Sequence, residues 1–159
     1  MSIKYFRLTC AFIALMYLSA CNKQTITDQV VSIPAEGWYF TDKVNFEYVI
    51  SDTMASYDIL VHVRNLKNYS YSNLWLFIET ISPSGNRQRD TLEIILADKN
   101  GRWMGKSTQS VNTMLVPYKE DVRFSERGIY ETSLQHAMRD TVIQHITDIG
   151  LRIQYHVPK

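Results

Sequence analysis

The sequence predicts an all-β chain folded as one antiparallel β-sandwich, of jelly-roll or immunoglobulin-like type. Three observations carry this. Several segments alternate apolar and polar residues with a period of two, turn residues separate them at about the 8–12-residue spacing of a sandwich, and no long window has the helical period. The domain is expected to start at residue 34 and run to 159.

After Pro34, a short piece begins at Trp38, and residues 44–50 place Val44, Phe46, Tyr48 and Ile50 on one face. Ser51-Asp52-Thr53 is a turn. Residues 57–65 repeat the alternation, with Tyr57, Ile59, Val61 and Val63 on one side and Asp58, His62 and Arg64 on the other. A polar loop with Tyr69 and Tyr71 follows. Residues 73–82 are apolar without a break from Leu74 to Ile78, which predicts a central strand covered on both faces and puts Trp75 in the core. Pro83-Ser84-Gly85-Asn86 has turn chemistry, so residues 87–96 complete a hairpin with Leu92, Ile94 and Leu96 on one face. Asp98-Lys99-Asn100-Gly101 turns the chain again, and residues 107–113 read as a polar loop. A strand over 115–118 is interrupted by Pro117. Segments 121–124 and 129–136 come next, with one helical turn an alternative over 132–139. In the last strand Ile149, Leu151, Ile153 and Tyr155 alternate with Gly150, Arg152, Gln154 and His156.

The first 20 residues are of another kind. Lys4 and Arg7 precede an eleven-residue apolar core, and the small residues Ser19 and Ala20 stand before Cys21. A bilayer span needs about 20 apolar residues, so this core fits a cleaved secretory leader. Leu18-Ser19-Ala20-Cys21 resembles the bacterial lipoprotein box, which implies that Cys21 is acylated and becomes the mature N-terminus; the alternative is an ordinary signal with an incidental cysteine. Residues 21–33 then form the lipidated start and a polar tether. Val30, Val31 and Ile33 offer an edge strand as the alternative.

Removing the leader takes the basic side chains from 17 to 15, against 16 acidic ones, and the net charge from +1 to −1. No polybasic surface is left for nucleic acid. Cys10 departs with the leader and Cys21 carries lipid, which leaves no thiol for a disulfide, a nucleophile or a metal in the folded part. His62, His136, His145 and His156 lack metal-ligand spacing, no serine lies in G-x-S-x-G, and no glycines cluster into a phosphate loop. The residues therefore point away from an enzyme, a cofactor and a small-molecule substrate. Aromatic and cationic residues at predicted loops, Tyr69, Tyr71, Arg102, Trp103 and Tyr118, are the candidates for partner binding. Arg102 has Asp90, Asp98 and Asp148 as possible ion-pair partners.

Several short signatures occur in register: Tyr71 to Phe77 (YSNLWLF), Pro83-Ser84-Gly85, Arg89 to Glu93 (RDTLE), Ala97 to Gly105 (ADKNGRWMG), Val122-Arg123-Phe124, His136 to Arg139 (HAMR) and Asp148 to Arg152 (DIGLR). Their order resembles the gliding-motility lipoprotein family GldH over most of the mature chain. The resemblance implies a non-catalytic envelope lipoprotein that works with other gliding lipoproteins and the type IX secretion machinery. The aromatic residues themselves offer an alternative, an envelope lipoprotein with a glycan-binding sandwich that uses Tyr69, Tyr71 and Trp103. Asn22-Lys23-Gln24-Thr25 lacks an acidic cluster resembling a surface-export signal, so the anchor is expected in the outer membrane, facing the periplasm.

Overall fold

Strand pairing follows the alternation in the sequence. The computed structural model describes residues 25–158; the expected leader and Cys21 lie outside them. The strands are β1 (Thr25–Ser32), β2 (Trp38–Tyr39), β3 (Val44–Ile50), β4 (Tyr57–Leu66), β5 (Asn73–Ile81), β6 (Arg87–Ile95), β7 (Lys106–Ser107), β8 (Val111–Val122), β9 (Gly128–His136), β10 (Val142–Ile143) and β11 (Ile146–Tyr155). No helix occurs among the described residues.

The eight long strands form nested antiparallel pairs: β5 with β6, β4 with β8, β3 with β9, and β1 with β11. The chain is thus one long hairpin, closed at the 82–86 turn and rolled up on itself. Further pairing of β11 with β4 and of β9 with β5 divides it into two sheets, β1-β11-β4-β8-β7 and β3-β9-β5-β6. This nested, doubly connected arrangement is the jelly roll of the two expected alternatives. Inward positions of both sheets fill the space between them: Phe46 and Ile50 from β3, Val61 and Val63 from β4, Leu74, Leu76 and Ile78 from β5, and Ile149, Leu151 and Ile153 from β11. Burying such apolar surface at roughly 25 cal/mol per Å² is what holds the sheets together.

The structure corrects several expectations. Residues 25–32, expected as tether, are β1, an edge strand paired with β11 from Thr25↔Gln154 to Ser32↔Asp148. Its polar side chains suit a strand whose outer face and edge are wet. Residues 107–113 are not a loop throughout, because β7 and the start of β8 pair there, Lys106↔Thr113 and Ser107↔Asn112. Pro117 does not end the strand. It lies in β8 beyond the reach of β7, where a proline at the sheet edge is tolerated. The helical alternative over 132–139 gives way to β9, in which Tyr130, Thr132, Leu134 and His136 all face inward. Trp75 leaves the core: β5 alternates strictly, with Leu74, Leu76 and Ile78 inside and Trp75 and Phe77 outside.

Two ends can be distinguished. The near end holds the start of β1, the 51–56 turn, the 82–86 turn and the 123–127 turn. The far end holds the connections leaving β1, β4, β6 and β9. There the small pair β2–β10 acts as a plug, seating Trp38 and Ile143 against the core. Trp38 packs edge-on to His136 at 5.6 Å and donates its indole N–H to the Asp42 carbonyl at 3.0 Å.

Candidate interaction site

Four of the five residues expected to bind a partner, Tyr69, Tyr71, Arg102 and Trp103, gather at the far end; Tyr118 does not. Tyr69 is only 5% exposed and is a core residue. Its ring contacts Tyr71 edge-on at 5.7 Å and Trp103 at 6.5 Å, and its hydroxyl donates to the Asn73 carbonyl at 3.1 Å. Burial pushes the Tyr69 phenol well above its ordinary pKa. Tyr69, Tyr71 and Trp103 therefore form a packed knot around a buried ring, not the open strip that a sugar platform requires. Arg102 serves the turn: its backbone N–H and Nε both bond to Asp98, at 2.9 and 2.8 Å. The same contacts, the backbone N–H first, hold the Asp98 carboxyl below its usual range.

Tyr118 lies on β8 at the side of the sandwich. Its hydroxyl donates to Asp90 of β6, and Lys119 Nζ reaches the same carboxylate at 2.6 Å. Lys119 and then Tyr118 depress the Asp90 pKa, so this clasp across the sheet edges is ionic at neutral pH.

Tyr71 remains exposed, at 37%, and its hydroxyl donates to Asp140. Beside it an open depression of about 600 Å³ is lined by Tyr71, Asn73, Trp75, Ala137, Met138 and Arg139. Trp75 is 38% exposed; its carbonyl accepts Ala137 N–H at 2.8 Å and its own N–H points to Met138 Sδ at 3.3 Å. Ile95, 47% exposed, pairs with Asn73 on the adjoining strand, and exposed Phe40 joins from β2's side through hydrogen bonds with Thr141 and Gln135. An apolar strip thus crosses from β6 through β5 to the 137–141 turn. Ile95 and Met138 were missed by sequence reasoning, and Trp75 was assigned to the core. The available signal was phase: position 75 is out of step with 74, 76 and 78.

The four histidines have structural surroundings. His62 Nε2 lies 2.6 Å from Asp28, His156 Nδ1 lies 2.7 Å from Asp58, and His145 Nε2 lies 2.9 Å from Asn68. His136 is 2% exposed with neither ring nitrogen partnered among the described residues, and burial lowers its pKa. No group of three metal-ligating side chains occurs among the described residues.

A family model described as GldH lipoprotein matches residues 25–153, from the first described strand nearly to the end of the last. The chain belongs to the GldH lipoprotein family. It is 36% identical, over 88% of its length and 90% of the relative's, to a protein named gliding motility lipoprotein GldH homolog from Christiangramia forsetii. It is 30% identical to gliding motility lipoprotein GldH of Flavobacterium johnsoniae, covering 89% of this chain and 92% of that one. In GldH terms the matched region is the jelly roll itself, including β1.

Proposed function

We propose that this GldH-family chain is a non-catalytic lipoprotein of the gliding machinery, anchored through acyl chains on Cys21 in the outer membrane and facing the periplasm. Its task is to hold a protein-binding strip at a set height above the lipid, in contact with other gliding and type IX secretion envelope lipoproteins. The names of its relatives support the setting. The observation that carries the contact is the exposed Tyr71–Trp75–Ile95 strip at the far end.

Geometry sharpens the picture. Only four residue steps separate Cys21 from Thr25, the first residue of β1, a reach of at most about 14 Å. The tether is therefore short and the near end stands close to the headgroups. The eight residues of β1 then carry the chain about 27 Å toward the far end. An interface centre enriched in Trp and Tyr is the usual location of binding energy, and here it faces away from the bilayer.

Two measurements test this reading. Fractionation of Cys21→Ala should show a folded protein lost from the membrane pellet; retention there contradicts the anchor. A photo-crosslinking residue at position 75 or 95 in intact envelopes should trap a defined envelope protein, whereas one at position 64 on the other sheet should not. Equal labelling at both contradicts the far-end contact.

A further inference from the structure

The near end carries a crown of exposed apolar side chains. Val49, near the end of β3, and Ile129, near the start of β9, pair directly on the outer face, and both are more than half exposed. Ile81 and Pro83 line one open depression with Ile129. Val157, also more than half exposed, is held at the same end, because His156 N–H donates to the Ser56 carbonyl at 2.8 Å. Met54, in the 51–56 turn, is 75% exposed, more than any other large apolar side chain among the described residues. Its turn is braced: Asp52 Oδ1 accepts the Met54 N–H at 2.8 Å, and the Tyr57 hydroxyl donates to the Asp52 carbonyl at 2.6 Å.

The course of the chain indicates what covers this end. β1 leaves the near end while β3 runs toward it, and Gln29 Nε2 donates to the Glu47 carbonyl at 2.8 Å. Counting four residues along each strand from that contact brings Thr25 about level with Ser51, beside the Val49–Ile129 pair. Cys21 lies four residue steps before Thr25, a reach of at most about 14 Å. Acyl chains on Cys21 therefore draw this crown, and no other face, onto the bilayer. Charge sets the depth. Glu47 pairs with Glu131 on the same outer face, two residues and roughly 7 Å farther from the end, and both are exposed. Burying these carboxylates in lipid is costly, so they stay in water.

We propose that Met54, Val49, Ile129 and Val157 form an apolar wedge that sits in the headgroup–acyl boundary of the membrane, down to the line set by Glu47 and Glu131. The wedge rests on the Cys21 anchor of the proposed function and supplies what an anchor by itself lacks. Attachment at one point leaves a domain free to tilt and turn, whereas a second, rigid contact fixes its axis. The Tyr71–Trp75–Ile95 strip is then kept pointing away from the lipid.

The test is a spin-label depth measurement on the acylated protein, purified from membranes and placed in phosphatidylethanolamine–phosphatidylglycerol vesicles. The described residues contain no cysteine, so Met54→Cys, Ile129→Cys and Ile95→Cys each offer one thiol, the Cys21 sulfur being blocked by its lipid. Labels at 54 and 129 should lie about 5–10 Å into the headgroup–acyl boundary, relaxed more by oxygen than by a water-soluble nickel chelate, and the label at 95 should show the reverse. Adding Val49→Glu and Val157→Glu should shift the label at 54 to the aqueous pattern while the protein still floats with the vesicles. Vesicle-bound protein whose labels at 54 and 129 match the one at 95 overturns the wedge and leaves the anchor standing. So does a label at 54 that the two added glutamates fail to move. Acylation-competent protein that does not float with vesicles overturns the anchor, and the wedge with it.

Discussion

The outer faces of the two sheets are built on opposite principles. On the β1-β11-β4-β8 sheet, each of these carboxylates is met by a polar partner: His62 meets Asp28, Arg64 and Ser32 meet Asp148, and His156 meets Asp58. Gly150 lies at the centre of this ladder, and a Cβ there would come within 2.5 Å of the Gln29 carbonyl oxygen and 3.1 Å of His62 Cβ. On the β3-β9-β5-β6 sheet the near half is similar, with Lys43–Glu79–Arg87 and with Arg89 stacked over Phe77 at 4.2 Å. The far half abandons that pattern. Trp75 stands two residues from Phe77 on the same face, yet no cation covers it among the described residues. The first sheet leaves Val30 and Leu115 exposed too, but apart, with Gly150 and His62 between them, whereas the far half of the second gathers Trp75, Tyr71 and Ile95 in water and gains by being covered.

The contrast can be broken most severely at Gly150. Gly150→Val should cost at least about 3 kcal/mol, because the new side chain meets backbone and a packed neighbour; urea unfolding measures it. A loss under about 1 kcal/mol would mean that the ionic face is looser than described. Next comes Trp75→Ala, expected to abolish partner capture at the far end while changing stability by no more than about 1.5 kcal/mol, since the ring is already partly exposed. Loss of capture together with a much larger loss of stability would make Trp75 a packing residue.

Acid separates the regions further. Burial keeps His136 neutral by depressing its folded pKa, so the unfolded chain takes up the proton first. Stability from this group is complete above the unfolded value of about 6.5 and falls as the pH drops below it. His136→Phe should flatten the unfolding midpoint between pH 7.5 and 5.5. Asp58 titrates in a lower window. Burial raises its pKa, but the hydrogen bonds from His156 and Asp121 outweigh this and leave it depressed, so its contribution is present above the unfolded value of about 3.9 and lost below. The smallest effect belongs to Arg64→Ala, about 0–1 kcal/mol and diminished by salt, because its pair with Asp148 is solvent-screened. A larger effect that persists in high salt would show that the ionic ladder acts as one network.

Period-two alternation was enough to determine the all-β class and most inward positions, because in a strand successive side chains point to opposite faces whatever the fold. Tyr57, Ile59, Val61 and Val63 were legible for that reason, as was the 82–86 hairpin turn from its Pro, Ser, Gly and Asn. Partnership was not. Whether residues 25–32 hang free or pair depends on an open edge of β11 more than 100 residues away. Whether an apolar run such as Leu74 to Ile78 is covered on one face or two depends on what lies above the sheet. Tyr69 and Tyr71 are two positions apart in one loop, yet one is buried and the other faces solvent. Exposure is set by surfaces brought together from distant parts of the chain, and only the rolled-up hairpin decided which rings were left without a neighbour.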